Sequence, residues 1–259
     1  MKKKIKKITI YFFIILFIII SIFPIYFLFV VSTLTWAEFR YSLTPIFLPN
    51  LNNLNPIVNS FFTKEYANSL IISSVVTITS VFFGMMAGYS FARYKIGGFY
   101  LPFTILSIRM LPVVAFIIPL FMFSLKLRII DTHLAIILSH LIICLPFSIW
   151  MMRAFFIDIP YQIEEAALVD GCSKLEIFIK IAIPLALPGI AVTGLFCFIF
   201  SWSEFIFALV LSRKEAIPVN VRLTGGNNAL AVASIIPIFL FSIIINKNIV
   251  RGMTLGAIK

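Results

Sequence analysis

Charge is what this sequence has least of: 12% of its residues are Asp, Glu, Lys or Arg, against about 25% in an average soluble domain. With 61% hydrophobic residues and a mean hydropathy of +1.10, the chain cannot clothe an apolar interior in polar surface, which excludes a water-soluble fold. Cysteine is nearly absent. Cys144, Cys172 and Cys197 have neither CxxC spacing nor clustered histidines, so neither a disulfide framework nor a metal site is expected. No G-x-x-x-x-G-K-[ST] stretch is present, and the chain is not expected to bind or hydrolyse ATP itself. Nor is there an HExxH, an Asp/Asp pair or a Ser/His set, so no catalytic residue is assigned. The net charge of +11 does not mark a nucleic-acid partner, because the basic residues fall between apolar runs and not on an aromatic-laced face.

Long apolar runs are what the sequence has in plenty. About 20 apolar residues cross the hydrocarbon core of a bilayer as a helix. Six stretches meet that length: Ile8–Val31, Tyr66–Ala92, Ile96–Leu125, Thr132–Met152, Ile181–Ser212 and Leu223–Asn246. The last opens on the loop-like Thr224-Gly225-Gly226-Asn227-Asn228, which moves its helical start to about Ala229. Proline inside several spans (Pro24, Pro112, Pro119, Pro146, Pro188, Pro237) is read as kinking and not as breaking them. The first span follows Lys2, Lys3, Lys4, Lys6 and Lys7, but its apolar run is too long for a signal peptide and no A-x-A-like site follows; a retained helix is expected. The 29 phenylalanines are read as lipid contact and packing. The expected architecture is an all-α membrane protein of six transmembrane helices forming one domain over residues 1–259, with its core over about 66–251.

Lys and Arg in the loops set the orientation. With the N-terminus in the cytoplasm, 13 basic residues lie inside and 7, among them Arg40, Arg213 and Lys214, lie outside, with Arg109 inside a span. Both termini are therefore expected on the cytoplasmic side of the cell membrane.

The loop between the fourth and fifth spans is distinctive, holding Asp158, Glu164, Glu165, Asp170 and Glu176, five of the chain's ten acidic residues. Pro160 suits the first turn of a helix, Gly171 sits where a left-handed residue ends one, and Ser173 with Glu176 spells a capping box that starts the next. A short helix, a sharp turn and a new helix are predicted. The order Glu165-Ala166-Ala167, three residues, Gly171, nine residues, Ile181-x-Ile183-Pro184 resembles the E-A-A-x3-G-x9-I-x-L-P signature of bacterial ABC importer permeases, with Ile183 in place of Leu.

The resemblance extends to the carbohydrate-uptake group of that family, on the side of the maltose- and trehalose-type second permease subunit. It is carried by Asn68-Ser69-Leu70, Arg109-Met110-Leu111-Pro112, Met151-Met152-Arg153-x-Phe155-Phe156-x-x-Ile159-Pro160, Ser201-Trp202-Ser203-Glu204-Phe205, where Ser203 stands for Asn, and the tail Ile249–Lys259. Such a resemblance implies the type I importer transmembrane fold, with the acidic loop as a coupling helix between helices 4 and 5. It also implies a second permease subunit, an ABC ATPase dimer that holds the ATP and Mg, an extracytoplasmic solute-binding protein, and a sugar substrate: trehalose, maltose or another disaccharide, then a polyol, then glycerol phosphate. The coupling residues it implies are Glu164, Glu165, Ala166, Ala167, Asp170, Gly171 and Pro184. Glu165 would be the polar anchor on the ATPase, Ala166 and Ala167 would keep the docking face small, and Gly171 would supply the turn. The stretch from Pro218 to Ala233 looks shortened beside the family, and the expected Trp-Gly is replaced by Gly225-Gly226-Asn227-Asn228.

Arg109 and Glu204 are the formally charged residues deep within spans. Such residues face a partner or a cavity, so they either pair with each other or with backbone, or line the substrate path together with Ser203. His133 and His140, seven apart, share a helix face without a zinc ligand set; His133 is expected at the interface and His140 to pack or hydrogen-bond. Two rival classes stay in view: a secondary transporter, which needs intramembrane coupling-ion carboxylates beyond Glu204, and an intramembrane enzyme.

Overall fold

The computed structural model of the chain describes residues 2–34, 48–98 and 100–256, with side chains described between Lys7 and Ile243, Ile8 excepted. Arg40 of the outer charge count and Ala257, Ile258 and Lys259 of the tail lie outside the described residues. The described residues form helices and no strand. In chain order these are α1 (Lys2–Thr33), α2 (Asn55–Ser60), α3 (Lys64–Arg93), α4 (Tyr100–Ile108), α5 (Val113–Lys126), α6 (His133–Asp158), α7 (Tyr161–Val169), α8 (Lys174–Leu185), α9 (Leu187–Ser203), α10 (Ile206–Leu211), α11 (Val219–Arg222) and α12 (Asn228–Gly256).

Helices α1, α3 and α6 are each long and apolar enough to cross a membrane. Two further spans are broken. Helices α4 and α5 meet at 78°, and α8 and α9 at 73°, so by length and composition the described residues hold three spans, or up to five if each bent pair is one. Helix α12 runs from Asn228 to Gly256, with its side chains described as far as Ile243. This corrects the two uninterrupted spans read over 96–125 and 181–212. At the first break Pro112 has extended backbone and caps α5, since a residue before proline is pushed out of the helical region and proline has no N–H to continue the ladder. At the second, a π-helical turn over Phe178–Ala182 precedes Pro184, and Pro188 starts α9, so Ala186 takes the bend. The 181–212 stretch breaks again at Glu204-Phe205.

Helices α3 and α6 form the centre and run parallel: Asn68 meets His133 at one end, Gly88 meets Arg153 at the other. They approach backbone to backbone. A Cβ on Gly84 would strike the Ser148 side chain, and one on Gly88 would lie 2.7 Å from the Arg153 nitrogen and 2.9 Å from Met152 Cβ. Gly84-x-x-x-Gly88 is the small-residue spacing that lets membrane helices pack closely. Helix α9 lies against both, α12 against α9, and α1 and α2 against α12. Nearly every side chain of α1 from Ile10 to Phe27 is exposed, a surface suited to lipid or neighbouring helices. Three apolar clusters fill the interior. One is around Val76, Ile136, Cys197 and Phe207, one around Tyr66, Phe198 and Trp202, and one around Tyr89, Met152 and Phe156 beside the loop that carries α7.

Candidate functional site

The acidic loop folds as its local chemistry dictates. Helix α7 begins after Pro160 and ends in a Schellman arrangement: Gly171 has φ +86°, the Gly171 N–H donates to Leu168 O at 3.1 Å, and Cys172 N–H donates to Ala167 O at 3.0 Å. Two residues later Ser173 Oγ accepts from Glu176 N–H at 3.3 Å while Glu176 Oε2 accepts from Ser173 N–H at 3.0 Å, a complete capping box that starts α8. Pro184 lies in the last turn of α8, ahead of the bend. Only the segment Asp170–Ser173 separates the two helices.

The faces of α7 are not those expected. Glu165 and Ala166 are exposed, as are Asp170, Leu168 and Val169, the last at 87%. Glu164 and Ala167, one turn apart, are buried against the chain's own bundle. Ala167 therefore does not belong to an outward docking face. Glu164 Oε1 accepts from Arg93 Nε at 2.7 Å and Glu164 Oε2 accepts from the Tyr89 hydroxyl at 2.9 Å. Arg93 Nη2 lies 2.7 Å from Glu164 Oε1 and donates to Ile159 O at 3.1 Å. Arg93 is one of the 13 inner basic residues of the charge count, and its place four residues after Tyr89, on the last turn of α3, is the signal of this contact.

The intramembrane charges have separate partners, and no ion pair joins Arg109 to Glu204 among the described residues. Arg109, at the α4–α5 break, lies with its guanidinium carbon 4.6 Å from the Phe147 ring centroid and 4.1 Å from that of Phe200, a cation–π clamp. Glu204 Oε2 lies 3.1 Å from His140 Nε2, and His140 Nδ1 lies 2.8 Å from Ser201 Oγ. The same carboxylate accepts from the N–H groups of Ile206, Phe207 and Ala208 at 2.9, 3.0 and 3.2 Å, the first orphan donors of α10. An acceptor carboxylate requires Nε2 of His140 to carry a proton; in the neutral imidazole Ser201 Oγ then donates to Nδ1. Glu204 is thus bound by imidazole and backbone because the chain breaks immediately after it.

Ser203 turns elsewhere. It lines a cavity of about 350 Å³ between α9, α11 and α12, together with Trp202, Asn220, Ser234 and Phe239. Val219, Leu223, Ile235 and Ile238 complete a lining that is mostly apolar, with the serine hydroxyls and the Asn220 amide as its few hydrogen-bonding groups.

The end of the bundle opposite α7 holds a cluster that the sequence did not signal. Asp131, itself at φ +61°, accepts from the consecutive backbone N–H groups of Arg213, Lys214, Glu215 and Ala216 at 2.8 to 3.1 Å. Burial pushes its pKa up, but the four backbone donors outweigh burial and bring it down to about 2. Asn68 Nδ2 donates to Glu215 O and Ile217 O, and its Oδ1 accepts from His133 Nε2 at 2.8 Å.

A family model described as "binding-protein-dependent transport system inner membrane component" matches residues 80–254. The chain is 31% identical over 261 residues to the trehalose/maltose transport system permease protein MalG of Thermococcus litoralis, covering 95% of this chain and 94% of that protein. It is 32% identical over 212 residues to the trehalose transport system permease protein SugB of Mycobacterium tuberculosis, covering 76% of this chain and 77% of that one. Its fold matches a chain of the inward-facing MetNI methionine ABC transporter with a TM-score of 0.60 at 15% identity, over 78% of this chain and 99% of that chain.

Proposed function

The chain belongs to the family of binding-protein-dependent transport system inner membrane components, and from that premise we propose that it is one permease subunit of an ATP-driven sugar importer. It is a multi-pass membrane transport subunit and not an enzyme. The observation that carries the reading is α7, a nine-residue helix ended by left-handed Gly171, with Glu165, Ala166, Leu168 and Val169 open to a second protein. This face is assigned to an ABC ATPase dimer, which holds the ATP and Mg. Closure of that dimer displaces α7 and shifts the balance between two packings of the permease helices. A second permease subunit completes the path, and an extracytoplasmic solute-binding protein delivers the solute. The excess of Lys and Arg on the α7 side orients both termini to the cytoplasm.

The cavity beside Ser203 and the Arg109 clamp are the assigned stretches of the substrate path. The relatives named for trehalose and maltose support a disaccharide as substrate, with a polyol next in order. The test is co-expression with an ATPase, a second permease and a binding protein, followed by detergent extraction and reconstitution. The ATPase is expected to copurify and the vesicles to accumulate labelled trehalose or maltose only with ATP. An extracted chain that retains no ATPase would overturn the reading.

A further inference from the structure

Helix α7 holds on to the rest of the chain by very little. It packs against α8, and its exposed residues outnumber its two buried ones, Glu164 and Ala167. Ala167 contributes a methyl group. Glu164 contributes a carboxylate whose side chain is 4% exposed, facing an Arg93 side chain that is 7% exposed. Taking both charges out of water opposes their attraction, and a buried ion pair is therefore a poor device for stability alone. What it supplies is direction. The carboxylate takes Arg93 on one oxygen and Tyr89 on the other, and the guanidinium reaches on to Ile159 O at the end of α6. One ionic contact thus gathers the last turn of α3, the end of α6 and the first half of α7.

We propose that Glu164 is the positioning residue that carries movement of α7 into α3, through Arg93 and Tyr89. The inference rests on the reading of α7 as the ATPase-docking helix and adds the route beyond it. The neighbouring Glu165 meets the partner, whereas Glu164 meets the chain's own transmembrane core. Displacement of α7 must either drag the Tyr89–Arg93 turn with it or break the contact. That turn lies directly beyond Gly88, where α3 rests on the backbone of α6. Helix α3 is thereby pulled at its end and supported one turn away, an arrangement that converts a push on α7 into a tilt between the two central helices.

The test uses Glu164→Gln, close to isosteric but uncharged, in the reconstituted importer and in the solubilised chain alone. The side chain faces away from the docking surface, so the ATPase is expected to copurify. Solute taken up per ATP hydrolysed is expected to fall about tenfold, inside the usual range for coupling between sites. In the chain alone, amide exchange over Tyr161–Val169 is expected to speed up about tenfold while that of α3 between Ile72 and Ser80 stays unchanged. The exchanged pair Arg93→Glu with Glu164→Arg is expected to recover part of the coupling lost in either single variant. Unchanged uptake per ATP in Glu164→Gln would overturn the proposal, and so would lost coupling with unaltered exchange over α7. If the wild-type chain retains no ATPase, the functional reading fails by that result, and the exchange experiment still decides whether Glu164 anchors α7.

Discussion

Glu164 and Glu165, adjacent in sequence, face opposite sides of α7: the first is ion-paired with Arg93 inside the chain, and the second is exposed. One residue of helical rotation, about 100°, turns the second side chain out of the buried face that holds the first. Two carboxylates that read alike as a string therefore have different surroundings, one buried and ion-paired, the other exposed.

Gly171 is held at φ +86°, and a Cβ there would meet no atom within 4 Å, so the cost of substitution lies in the backbone alone. Valine in the left-handed region costs on the order of 1–2 kcal/mol, and asparagine much less. Gly171→Val is expected to insert and fold yet to lose ATP-coupled uptake. Gly171→Asn is expected to keep most of it. Vesicle uptake beside ATP hydrolysis checks both, and wild-type transport in Gly171→Val would remove α7 from the coupling route.

Because Arg109 lies against Phe147 and Phe200 while Glu204 binds His140 and α10, exchanging their charges cannot rebuild a contact. The double variant Arg109→Glu with Glu204→Arg is expected to transport no better than the worse single variant. Recovery of uptake would mean that the two meet in another state of the transporter.

Gly88→Ala places a methyl group within 3 Å of the α6 backbone, where nothing flexible can yield. Overpacking of this kind costs roughly 1–3 kcal/mol. The variant is expected to unfold at lower temperature in detergent than wild type, and so is Gly84→Ala, whose Cβ would strike Ser148 Oγ and lie 2.8 Å from Ser148 Cβ and 3.0 Å from its backbone carbon. Thermal melts of both variants beside wild type measure the difference.

Asp131 titrates at about 2 when caged, against an ordinary 3.8. A carboxyl whose folded pKa is depressed stabilises the fold above its unfolded pKa and loses that contribution as pH falls towards the folded value. Asp131→Asn is expected to lower the melting temperature at pH 7, and the gap from wild type is expected to narrow as pH drops from about 4 to about 2. A gap independent of pH would show that the pKa of the Asp131 carboxyl is not depressed by the fold and that its charge contributes nothing to stability.

Much of this was legible in the sequence where the physics is local. The turn at Gly171, the capping box at Ser173 and the apolar lengths of α1, α3 and α6 depend on residues within a few positions of one another. What escaped depends on distant partners. Nothing near Glu164 announces Arg93, 71 residues away, and nothing near Asp131 announces the amides of Arg213 to Ala216. The two bends fall between these cases. Proline was visible at both, but a proline kink and a 78° break differ only in what the neighbouring helices permit.

The Asp131 cage also governs where the chain tolerates changes of length. Four successive amides from Arg213 to Ala216 bind one carboxylate, Asn68 holds the carbonyls of Glu215 and Ile217, and Ser69 Oγ accepts from Val219 N–H at 2.8 Å. An insertion or deletion inside that run would put every later group out of step with its anchor. Between Asn220 and Asn227 the backbone bonds are local turns, which re-form with a different number of residues, while the Arg222 side chain reaches out to Glu65. A change of length confined to Asn220–Asn227 would leave the anchors from Arg213 to Val219 in register.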